Sequence, residues 1–195
     1  MTGRLTPDTD GGQSSDRNVD ADADRSGVAA TYGVLAACWR EPTEQLAEAA
    51  TAGDLRSVVG DIGSVGFGDL RAEYTRLFIG PAGPPCPPYE SVYRDGDAPG
   101  EFGPVNGPAT MAVRRWYVEF GVRPAEGHSD LPDHIATELE FAAYLAEQGL
   151  DERLDQFLDE HLRVWADEFL TGVEDETRDA FYASLAATTR EVIRA

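Results

Sequence analysis

Two stretches hold most of the side chains that could do chemistry. The first is Leu131-Pro132-Asp133-His134-Ile135-Ala136-Thr137-Glu138. On a helix, His134 and Glu138 stand four apart and share a face, and Asp133 in the first turn complements the helix dipole. A metal would need three or four ligands, and His128 is the only other nearby candidate. A hydrolytic Asp133–His134 pair would need a nucleophile. Ser91 is a faint candidate, and no Gly-x-Ser-x-Gly elbow is present. Two readings stay open: a binding surface, or a capped helix start with an internally satisfied His–Glu pair.

The second stretch runs from Glu73 to Pro81 and continues into Pro87-Pro88-Tyr89-Glu90-Ser91-Val92-Tyr93. It sets two tyrosines and a glutamate on a proline scaffold. A stiff loop loses little entropy when something binds to it, but it could equally be a loop tucked over a core with Tyr89 and Tyr93 as anchors. His161 lies on the edge of a stripe of Phe157, Leu158, Leu162, Trp165 and Phe169, which reads as core, with His161 a hydrogen-bonded structural residue. No glycine loop has the lysine and spacing of a phosphate cradle.

The elements that position these residues are helical throughout. Val28, Tyr32, Leu35, Ala36 and Trp39 recur at three-to-four spacing, with Ser26 as N-cap. Leu70, Tyr74, Leu77 and Phe78 mark a second strong helix ending at Gly80-Pro81. Pro108 opens a third, carrying Val113, Tyr117 and Phe120. Three more are expected at about 132–148, 151–171 and 175–194, the first two closed by Gly149 and Gly172. No segment sustains period-2 alternation. The expected fold is all-α: a single-domain helical bundle with a long Pro/Gly-rich loop, Gly80 to Gly107, in its middle. Residues 1–26, rich in Asp, Gly and Ser, are expected to form a disordered acidic tail ahead of a helical domain at 27–195.

Composition excludes several function classes. Asp and Glu total 36 against 16 basic residues, all Arg, for a formal net charge of −20. Such a surface repels nucleic acid and anionic lipid. Spread over the whole chain, it points to halophilic adaptation more than to a focused face for a basic partner. Cys38 and Cys86 are expected to stay reduced, no apolar run is long enough to span a membrane, and the N-terminus has no secretory apolar region. Cytoplasmic localisation is expected.

Taken in order, Tyr74–Pro81 (Y-T-R-L-F-I-G-P), Pro87–Tyr93 (P-P-Y-E-S-V-Y) and Pro132–Phe141 (P-D-H-I-A-T-E-L-E-F) resemble the TorD/DmsD family of molybdoenzyme-maturation chaperones. His161-Leu162 with Trp165 and Phe169 is similar to that family's later helix. The resemblance covers residues 28–195 in layout; Cys86 in the proline loop and the acidic tail depart from it. It implies an all-helical cytoplasmic protein with no catalysis, cofactor or metal of its own. Such a protein binds the catalytic subunit of a molybdopterin oxidoreductase, often through its twin-arginine leader, and delays export until the cofactor is inserted. The implied peptide-binding residues are Gly80, Pro81, Pro88, Tyr89, Glu90, Ser91, Tyr93, Pro132, Asp133, His134 and Glu138. A leader has a cationic head and an apolar run, so Glu90, Asp133 and Glu138 are expected to pair with its guanidinium groups and the tyrosines to take the apolar part. The alternatives are an assembly factor that binds a folded enzyme surface, or a hydrolase using Asp133 and His134. The binding reading requires the proline–tyrosine turn and the Asp-His helix start to meet in space.

Overall fold

A computed structural model describes residues 13–80, 83–98, 100–123 and 130–195. Among the described residues ten α-helices follow in order: α1 Gln13–Cys38, α2 Glu44–Ala52, α3 Arg56–Val59, α4 Phe67–Tyr74, α5 Glu90–Arg94, α6 Pro108–Glu119, α7 Ile135–Glu147, α8 Asp151–Glu160, α9 Leu162–Glu176 and α10 Ala180–Arg194. A single π-helical turn, Thr75–Ile79, prolongs α4, and no strand occurs among the described residues. The all-α bundle expected from periodicity is present.

Local chemistry sets most of the helix ends. Thr43 accepts from the Leu46 N–H to cap α2, and Gly53 closes it in the left-handed region at φ 86°. Asp179 caps α10 through the Phe181 N–H. Pro108 opens α6, where the Asp95 carboxylate accepts the Ala109 N–H at 2.9 Å.

Three boundaries differ from expectation. The backbone is already helical at Gln13, ahead of Ser26. No proline or glycine interrupts the chain between those residues, so nothing local stops α1 from extending. The first 12 residues of the expected disordered tail lie outside the described residues, as do Pro81 and His128. The single helix expected over 151–171 is two helices, which meet at His161 with φ −126° and ψ −93°. Gly172 lies inside α9 and does not end it. Finally, the proline loop contains a short helix, α5.

The core forms two connected aromatic centres. In one, Trp39 packs on Phe78 and Phe169 at ring-centroid distances of 5.9 and 5.1 Å. Its indole N–H donates to buried Thr189 at 2.9 Å, joining α1 to α10. In the other, Phe141 of α7 meets Phe157 of α8 at 4.8 Å and Tyr117 of α6 at 4.7 Å. Burying one such ring contributes about 1.5–3 kcal/mol, so these clusters hold the helices that carry the site. The helix α1 lies mainly along α7, α9 lies along α10, and α5 sits against both α6 and α9. Cys38 and Cys86 are free, buried thiols, whose pKa burial raises to about 12.

Candidate functional site

The proline–tyrosine turn and the Asp-His helix start are joined backbone to backbone. Tyr89 and His134 form an isolated antiparallel bridge. Glu90 N–H donates to Asp133 C=O at 2.9 Å, and Ile135 N–H donates to Pro88 C=O at the same distance. The Asp133 carboxylate caps α5 by accepting the Ser91 N–H at 3.0 Å. His134 caps α7, its Nδ1 accepting the Ala136 N–H at 3.1 Å, so that nitrogen carries no proton. The Tyr89 ring stands edge-on to the His134 ring at 5.2 Å. The Tyr117 hydroxyl donates to Pro132 C=O at 2.8 Å and fixes the approach to α7. Proline residues suit this junction because the backbone N–H groups they lack are not needed there.

Behind the junction lies a buried charge cluster. The Glu90 carboxylate, fully buried, accepts from His161 Nδ1 at 2.9–3.0 Å and pairs with Arg94 one turn along α5. Arg94 also donates to the Glu160 C=O at 3.0 Å, at the end of α8. The helix break at His161 thus has a cause: the imidazole turns inward to a carboxylate 71 residues earlier. Glu138 is also fully buried and takes the Trp165 N–H at 3.3 Å. Burial first, and then the negative charge of Glu90, raise the Glu138 pKa well above the ordinary carboxylate range. Burial and the neighbouring Glu90 charge thus favour the protonated form of Glu138. Its second oxygen, like one oxygen of Asp133, receives no hydrogen bond among the described residues.

This geometry corrects the role expected of the carboxylates. Glu90, Asp133 and Glu138 are all 0% exposed, and a partner's guanidinium group cannot reach them without opening the bundle. They build the junction. Ser91 and His134 are closed from solvent too, so no substrate reaches the pair that a hydrolase would use. Ser91 accepts the Asn106 N–H through its hydroxyl, tying the glycine-rich loop to α5. Pro88 is buried, whereas Gly80, Tyr89, Tyr93 and Pro132 are half-buried. Tyr93 stacks on Trp165 at 5.5 Å and meets half-exposed Phe102 at 5.3 Å. No group of three or more metal-ligating side chains exists among the described residues.

Other carboxylates do reach the surface beside Tyr89. After burial, Asp130 raises the Tyr89 pKa, and after burial it also raises that of Tyr74, together with Glu41. Arg40 spans Asp130 at 3.5 Å and Glu140 at 2.6 Å. The side chains of Asp130, Glu140 and Glu41 are 30%, 48% and 57% exposed. Sequence reasoning missed this rim because Glu41 lies far in sequence from Asp130 and Glu140.

The chain matches the family model described as nitrate reductase delta subunit over residues 34–171. The chain belongs to that family. Relatives with that resemblance are TorD/DmsD chaperones. A Tat proofreading chaperone, DmsD, from Salmonella paratyphi A is 34% identical over 121 residues, 62% of this chain and 57% of the relative. A selenate reductase assembly chaperone from Thauera selenatis is 33% identical over 42% of this chain and 47% of its own length. A candidate redox enzyme maturation protein of known crystal structure, from Archaeoglobus fulgidus, superposes with a TM-score of 0.62 at 27% identity. That match covers 88% of this chain and 94% of the other. The match to DmsD thus spans a little over half of that relative's length. No helix among the described residues is long and apolar enough to cross a membrane.

Proposed function

We propose that this chain is a cytoplasmic maturation chaperone for a molybdopterin oxidoreductase. It binds the catalytic subunit through its twin-arginine leader, delays export until the cofactor is inserted, and performs no catalysis. The observation that carries this reading is the Tyr89–His134 bridge, which holds a half-buried aromatic ring beside Asp130, itself linked through Arg40 to Glu140. A leader's paired guanidinium groups fit carboxylates bidentately, displacing Arg40 and Arg71 from them, and its apolar run fits the Tyr89 surface. The buried Glu90–Glu138–His161 cluster acts indirectly, by keeping the turn and the helix start in register. This role agrees with relatives named for proofreading and assembly.

Titration of a synthetic twin-arginine leader into purified Tyr89→Ala and Asp130→Asn variants tests the assignment. Each variant is expected to bind at least tenfold more weakly while unfolding at the wild-type temperature. Wild-type affinity in both overturns the site.

A further inference from the structure

On a chain with 36 acidic residues, one cleft has no carboxylate among the described residues of its wall. It lies between α6 and the start of α7, encloses about 630 Å³, and is lined on its apolar side by Met111, Val118, Val122 and Leu131. Arg114 and Arg123 stand at its margins. The volume falls within the roughly 300–1,000 Å³ usual for binding clefts. Met111 and Val118 are 49% and 69% exposed, and Val105, also exposed, extends the apolar surface beside Asn106 of the cleft.

The arginines differ from most others in the molecule. Arg40, Arg71, Arg76, Arg94, Arg153, Arg163, Arg190 and Arg194 all lie on carboxylates. Arg114 and Arg123 form no such pair among the described residues. A second observation points into the same cleft: the Thr110 hydroxyl, 2% exposed, lines it and has no hydrogen-bond partner among the described residues.

We propose that this cleft docks a segment of a partner protein that carries apolar side chains flanked by carboxylates. The apolar residues cover Met111 and Val118, and the carboxylates engage the guanidinium forks of Arg114 and Arg123. A cationic leader head is repelled here by like charge. The segment is therefore a different stretch of polypeptide from the one assigned to the Tyr89 rim, and the proposal stands independently of that assignment.

The probe is a fluorescent 16-residue peptide with leucines at helical i, i+4 spacing flanked by glutamates, titrated by anisotropy into the full chain. A twin peptide with arginine in place of each glutamate is the control. At 0.15 M salt, charge is screened beyond about 8 Å, so the chain's overall negative charge does not mask contact pairs. The acidic peptide is expected to bind at least tenfold more tightly than the basic one. Arg114→Glu, Arg123→Glu and Val118→Asp should each weaken it at least fivefold with unchanged thermal midpoints. Arg178→Glu, an exposed site outside the cleft, should bind as wild type. Three results would overturn the proposal: no preference for the acidic peptide, cleft variants that match Arg178→Glu, or a dimer in sedimentation that Arg114→Glu makes monomeric. The last would assign the cleft to a second copy of the chain.

Discussion

Replacing Glu138 by glutamine isolates the energetics of the buried cluster. In the fold this side chain is enclosed by Glu90, Asp133 and the Trp165 indole, with His161 and Arg94 on the far side of Glu90. Its pKa is raised well above the ordinary value, by burial and then by Glu90. In the unfolded chain it titrates near 4.3. Between these two values the folded protein holds a proton that the unfolded chain has released. The sign follows: the contribution is fully present below about pH 4.3 and is lost as pH rises, at about 1.4 kcal/mol per unit. Glutamine keeps the acceptor for Trp165 and a donor for Glu90 but carries no proton to titrate. As pH rises from 5.5 to 7.5 the wild type should therefore lose stability relative to Glu138→Gln, by no more than about 1.4 kcal/mol per unit. Urea and thermal unfolding at the two pH values measure it. A stability gap between the two proteins that stays constant from pH 5.5 to 7.5 would refute a Glu138 whose pKa burial raises.

Other consequences follow from the same contacts. His161→Leu removes one hydrogen bond to the buried Glu90 carboxylate, which keeps Arg94, and should cost about 1.5–3 kcal/mol in urea unfolding. Glu73 accepts from Arg76, the Arg178 N–H and Thr177, and its pKa is lowered to about 2, chiefly by Arg76. Its stabilisation is complete above about pH 4.5 and lost as pH falls towards 2, so Glu73→Gln should flatten the acid limb of a pH–stability curve. Gly80 has φ 34°, and an added Cβ would lie 3.0 Å from the Gly83 carbonyl oxygen. Gly80→Ala should therefore cost about 1–3 kcal/mol in thermal or urea unfolding.

Periodicity made the helices legible wherever a buried stripe repeats, as in α1 from Val28, α6, α7 and α10. It also ran straight through His161, because Phe157, Leu158, Leu162, Trp165 and Phe169 keep one phase across it. The break comes from Glu90, a contact no local pattern records. The same long-range pairing explains the misread carboxylates. Asp133 and Glu138 sit at spacings typical of an exposed helix start, yet α5, α6 and α9 close over them. Short α5 was invisible because five residues between proline and glycine leave no period to read. The residues of the candidate site were readable as a set. Which of them face a partner was not, since exposure depends on segments far apart in sequence.

The reading of Asp130, Glu140 and Glu41 as a receptor for paired arginines can be tested directly. The dissociation constant of the full chain should be measured for a leader peptide carrying both arginines and for the same peptide with both replaced by glutamine. At least tenfold weaker binding of the glutamine peptide is predicted. Equal affinity for the two peptides would contradict recognition of the arginine pair by this rim.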